Sequence, residues 1–177
     1  MIKYFILILI TPKLALADKP YVVLSDNLTD PFIKSFVELN KVYLVGFGGG
    51  MMCDVDNVAM TFSGNHRLDI DAARQLYISG MNDLLNIYNS NCEIRPYLHN
   101  FPVTTNLFSF GLVFQESKNR FVSDQYIACV FCVGGIIFYK YYDKKNRKLC
   151  DLHKEKYEEA VKNNQSPTEI RLPPQGK

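Results

Sequence analysis

Five cysteines and three histidines are the residues of this chain whose types could carry thiol or metal chemistry. Cys129-x-x-Cys132 and Cys150-x-x-His153 have the residue types and paired spacings of a tetrahedral zinc site. The context opposes that reading. Cys129 and Cys132 fall an odd number apart in an apolar run that reads as a strand, so their side chains point to opposite faces. The same geometry forbids a regular Cys129–Cys132 bridge, and small buried thiols in a sheet are the simpler account. Cys92 with His99 or His66 has the types for a small Cys-His hydrolase. That chemistry needs the thiolate within hydrogen-bond reach of an imidazole held by a third group, and no spacing here enforces it. A polar set, His66, Asp69, Asp71, Arg74, Glu93, Arg95 and His99, lies before, at and just after one long helical stretch. A helix of about 20 residues spans about 30 Å, so helix caps and surface ion pairs explain these residues better than one shared site. The sequence therefore implies no catalytic residue, no metal ligand and no cofactor.

The helical stretch organises the chain. Asp69 is placed to cap its N-terminus, and Asp71 adds charge at the positive end of the dipole. Ala73, Leu76, Tyr77, Gly80, Met81, Leu84, Leu85 and Tyr88 recur at the three-four spacing of one buried face. Gly80 costs about 1 kcal/mol against Ala in a helix interior, and a strand packed closely beneath it would justify that cost. Asn89-Ser90-Asn91 ends the helix, and Arg95-Pro96 calls for extended backbone at Arg95.

Before it, residues 18–28 read as a mobile lead-in. Thr29-Asp30-Pro31 reads as the start of a short helix reaching residue 40. Residues 42–47 read as a strand or as the end of that helix running into one, Gly48-Gly49-Gly50 as a turn, and residues 56–62 as a strand with Val58, Met60 and Phe62 on one face. After the helix, Pro96 and Pro102 bracket a rigid connection and residues 104–114 form a strand, followed by a polar loop over 116–120. Residues 126–133 and 136–142 flank Gly134-Gly135, a two-residue hairpin signal that puts Phe131 opposite Phe138 and Val130 opposite Tyr139. Residues 152–161 read as a last helix. No internal repeat is evident. The expected fold is α+β: a mainly antiparallel sheet of four or five strands with a long central helix packed on one face.

Lys3, the apolar run Phe5–Ile10 and Ala15-Leu16-Ala17 have the layout of a secretory signal over residues 1–17, with the mature chain starting at Asp18. An uncleaved N-terminal anchor is the alternative. No other window approaches the roughly 18 apolar residues a spanning helix needs, so no membrane span remains after signal removal. Residues 18–162 then form a single domain, and 163–177 a polar, proline-bearing tail expected to be disordered. The net charge of +2 implies no nucleic-acid partner. The odd cysteine count leaves at least one thiol unpaired without a partner chain, and points to a core-driven fold with room for one or two bridges.

Gly48-Gly49-Gly50-Met51-Met52, Leu68-Asp69-Ile70-Asp71-Ala72-Ala73-Arg74, Ile94-Arg95-Pro96-Tyr97-Leu98 and Tyr157-Glu158-Glu159-Ala160 together resemble an uncharacterised family of small exported proteins from intracellular bacteria, over about residues 46–160. The resemblance implies a periplasmic or secreted location and a role at the host–bacterium interface. It carries over no catalytic residue, and the cysteines lie outside its motifs. The reading that follows is an exported, non-enzymatic interaction or ligand-binding protein, with a small Cys-His hydrolase or a structural zinc protein as alternatives. The expected partner is another protein or a second copy. The expected docking surface is Tyr126, Tyr139, Tyr141 and Tyr142 at the open end of the glycine hairpin, since tyrosine offers a large contact area with a polar tip.

Overall fold

In the computed structural model, residues 19–117 and 120–164 are described. The signal expected over 1–17 and most of the tail lie outside them. The chain runs α1 (Pro20–Asn40), β1 (Tyr43–Gly50), β2 (Asn57–Gly64), α2 (Ile70–Ser90), β3 (Phe108–Ser117), β4 (Arg120–Phe121), β5 (Cys129–Val133), β6 (Ile136–Asp143), β7 (Lys148–Lys156) and α3 (Tyr157–Asn164). The fold is α+β, as expected. The sheet, however, has seven strands rather than four or five, in the order β1-β2-β3-β5-β6-β7 with β4 paired to β3. Every pair is antiparallel except β2–β3. That parallel pair needs a long crossover, and α2 supplies it.

No single helix is central. α1 and α2 are each 21 residues long, and both pack on the face made by Val58, Met60 and Phe62 of β2 and Phe108, Phe110 and Leu112 of β3. Period-2 alternation accounts for that face. Its centre is an aromatic cluster. Phe36 of α1 lies 4.8 Å from Phe62 and 5.6 Å from Phe110, and Tyr77 of α2 lies 5.1 Å from Phe110. Offset and edge-on ring pairs of this kind add stabilisation beyond the area they bury. Gly80 is where α2 comes closest. A Cβ there would stand 2.7 Å from Phe36 and 2.8 Å from Phe110 of β3, so the expected close strand is present and a second helix crowds the same spot. The opposite face carries Ala59, Thr61, Ser109, Gly111, Phe131 and Phe138, and no described helix covers it.

Other expectations met mixed outcomes. Asp69 caps α2, its carboxylate accepting from the Ala72 N–H at 2.9 Å. The glycine hairpin has Phe131 opposite Phe138 and Val130 opposite Tyr139, with Gly134 and Gly135 at positive φ of 58° and 76°. Residues 20–28 are helix and not a mobile lead-in, because α1 starts with Pro20 in its first turn and buries Tyr21, Ser25, Thr29, Phe32 and Phe36 along one stripe. Gly48–Gly50 lie within β1, paired along Asn57, Val58 and Ala59, instead of forming a turn. Arg95-Pro96-Tyr97 is a 3₁₀ turn and not extended backbone. Residues 148–156 are strand, drawn out by pairing along β6, and the final helix starts only at Tyr157. Among the described residues no helix is long and apolar enough to cross a membrane.

Candidate functional site

The polar set around α2 divides between the two ends of the helix. At its start, the His66 ring Nε2 bonds the Asn40 carbonyl at 2.8 Å, Asp69 caps, and Arg74 pairs with Asp71. Past its end, the Arg95 guanidinium sits 4.2 Å over the Phe101 ring, and His99 Nδ1 meets Asp54 Oδ2 at 2.8 Å. The hydrogen bond to Asp54, and then the charges of Asp54 and Asp56, raise the His99 pKa above its ordinary value. His99 edges a cleft of about 350 Å³ lined by Asp56, Asn100, Val103, Thr104 and Leu107. Its imidazole has an orienting carboxylate, yet the described hydrogen bonds bring no Cys, Ser or Thr to the ring. Cys92 is exposed beyond the end of α2, and no described hydrogen bond joins it to His66 or His99.

All five cysteines are free thiols. Cys129 pairs across to Lys140 and Cys132 to Ile137, on opposite faces of the sheet. Burial pushes the Cys129 thiol up to about 11 and raises Cys132 as well. Cys150 stands opposite Tyr141 and His153 opposite Tyr139. Among the described residues no three His, Cys, Asp or Glu side chains gather where they could hold a metal.

The four tyrosines do not form one surface. Tyr139 is fully buried, its hydroxyl donating to Glu155 Oε1 at 2.8 Å, and burial followed by that bond raises its pKa far above the ordinary value. It belongs to the core, which corrects the expectation that it docks a partner. Tyr141 and Tyr142 are neighbours in a strand and so point to opposite faces. Both are partly exposed; Tyr142 packs 4.9 Å from the Phe121 ring, and Tyr126 lies against the core. Sequence reasoning missed the buried network that holds Tyr139. Arg74 Nε donates to Glu155 Oε1 at 2.6 Å, with the guanidinium 5.9 Å from the Tyr139 ring, tying α2 to β6 and β7. A Glu two positions past a histidine on an expected helix gave no sign of it.

The strongest exposed feature is the β1 edge. Tyr43 (52%), Leu44 (37%), Val45 (54%) and Phe47 (44%) are all exposed, on a strand with no charged residue. A free edge presents unpaired N–H and C=O groups that template another strand, and proteins ordinarily blunt it with charge. The opposite edge is blunted in this way: β7 carries Lys148, Asp151, Lys154, Glu155 and Lys156. β1 is also flat. On its uncovered face β1 carries Gly46, Gly48 and Gly50 beside Thr61, Ala59 and Asn57, and a Cβ at Gly48 would meet open space. The sequence held the signal in the uncharged run Tyr43–Gly50, but reading its glycines as a turn hid the edge. Searches for similar proteins matched no family model, no curated protein and no solved structure.

Proposed function

We propose that this is an exported, non-enzymatic interaction protein that docks an extended segment of another protein chain along β1, adding a strand to its sheet. The observation that carries the reading is the unprotected, uncharged edge of β1 set against the charged edge of β7. Strand addition takes affinity from main-chain hydrogen bonds and specificity from alternate side chains, which suits an edge that offers backbone and few polar side chains. The dispersed histidines and thiols also favour binding over hydrolysis. Panning a library of ten-residue peptides on sparsely immobilised protein tests the reading. Uncharged, extended sequences are enriched on the wild-type chain and lost on Phe47→Lys. No enrichment, or equal enrichment on both, refutes it. Export is checked separately: N-terminal sequencing of protein from the periplasm or medium finds Asp18, whereas Met1 at the N-terminus refutes cleavage.

A further inference from the structure

We infer that the chain docked along β1 is a second copy of this one, paired antiparallel about a twofold axis through Phe47. The inference rests on the edge-docking reading and names its partner. A twofold axis normal to the sheet keeps each copy's helices on the same side, so residues set opposite one another must come from the same face. Register with β2 fixes those faces. Leu44 and Phe47 stand beside Phe62 and Met60 on the helix side, and Gly49 stands beside Val58 where a Cβ would run into the Asn57 carbonyl. Tyr43, Gly46, Gly48 and Gly50 stand beside Ser63, Thr61, Ala59 and Asn57 on the uncovered side, and the register slips between Leu44 and Gly46, leaving Val45 as the extra residue of a bulge.

With Phe47 on the axis, Phe47 meets its own copy and Gly46 meets Gly48 of the second copy. Carried across the bulge, Leu44 and Val45 together meet Gly49, and Tyr43 meets Gly50. Phe47–Phe47, Gly46–Gly48 and Tyr43–Gly50 each share a face, and Gly49 has no side chain to set on either. The large side chains outside the axis face glycine, so nothing bulky collides. The axis itself carries an aromatic cross-strand pair, a favourable one. No charge opposes its like at any position. A strand written Tyr-Leu-Val-Gly-Phe-Gly-Gly-Gly is thus complementary to itself, with its large residues in one half and its glycines in the other. The β7 edge fails the same test, because any antiparallel self-pairing of it sets buried or exposed charges within the new ladder.

The test uses protein recovered from an exporting host, with its N-terminus mapped. Sedimentation over a concentration series gives a reversible equilibrium between one and two chains. Phe47→Lys puts two ammonium groups side by side at the axis, and like charges across an interface weaken it by roughly 100-fold. Leu152→Lys, a charge added to the β7 edge, leaves the equilibrium unchanged. Hydrogen exchange gives a readout independent of any variant: the β1 amides that point away from β2 are protected at high concentration and lose that protection on dilution, while the β1 amides bonded to β2 and the β5 and β6 amides do not. Wild-type protein that remains a single chain at every concentration overturns the inference, as does a dimer that survives Phe47→Lys or whose β1 amides ignore dilution. The panning result separates the two failures. A single-chain protein that still enriches strand peptides loses only the self-pairing; one that enriches none loses edge docking too.

Discussion

Gly80→Ala sets two opposing terms against each other at the contact between α2, α1 and β3. Alanine gains about 1 kcal/mol of helix propensity over glycine in a helix interior. The added methyl meets Phe36 Cε2 at 2.7 Å and Phe110 Cζ at 2.8 Å, closer than real Cβ atoms approach anything. Neither ring can swing away freely. Phe36 is packed on Phe32 and Phe62, and Phe110 on Tyr77, Phe32 and Phe62, all within 6.4 Å between centroids. Overpacking costs about 1–3 kcal/mol, and clashes with two held rings at once put this site in the upper part, about 2–3 kcal/mol; less the propensity gain, the variant loses about 1–2 kcal/mol. At this chain length that lowers the melting temperature by about 3–6 °C. Circular dichroism melts and urea titrations, at one fixed protein concentration, measure it. Trimming a ring relieves the clash, so Gly80→Ala with Phe36→Leu loses less than the sum of the two single changes. A melting temperature equal to or above wild type refutes the argument: the rings then yield, and glycine is not required by the contact.

The buried and exposed tyrosines of β6 separate cleanly in the same assay. Tyr139→Ala removes a fully buried ring and costs about 3–5 kcal/mol, whereas Tyr141→Ala costs about 1 kcal/mol or less; similar losses for both refute the assignment of Tyr139 to the core. His99 titrates above its ordinary 6.5 by NMR and falls toward that value in Asp54→Asn. Because the folded value is the higher one, the pair's stabilisation is fully present below the unfolded pKa and lost as pH rises through the folded value; an unchanged titration in Asp54→Asn removes the pair. Thiol labelling at neutral pH modifies exposed Cys53 and Cys92 first, and Cys129 only on unfolding. A single cysteine faster than a free thiol would instead revive the Cys-His hydrolase.

α2 was legible because its apolar stripe, cap and terminator agree. The Gly134-Gly135 hairpin was legible because a turn signal and flanking strand formers coincide. α1 was half hidden: the positions it buries include Ser25 and Thr29, whose hydroxyls are satisfied inside by Tyr88 and by the Ser25 carbonyl, so a hydrophobic pattern does not see them. β7 was unreadable for a different reason. Lys-Leu-Cys-Asp-Leu-His-Lys-Glu-Lys has no β-branched residue, and only the neighbouring strand makes it extended, a tertiary override of weak local preference. The β1 edge was missed through its glycines, which favour turns in isolation yet take extended backbone when a neighbouring strand fixes them. The Arg74–Glu155 pair joins residues 81 apart in sequence, a contact that no local pattern encodes.

Apart from the short β4, the strands stand across the sheet in the order in which they occur along the chain. Each new strand therefore has its neighbour already made when it is synthesised, and only α2 must bridge before growth resumes on β3. A chain emerging N-terminus first can assemble like a zipper closing from one end, with no early strand waiting for a late one to be inserted beside it. In that progression β1 is laid down at the outside at once, and among the described residues no later strand overtakes it, from the first hairpin to the last.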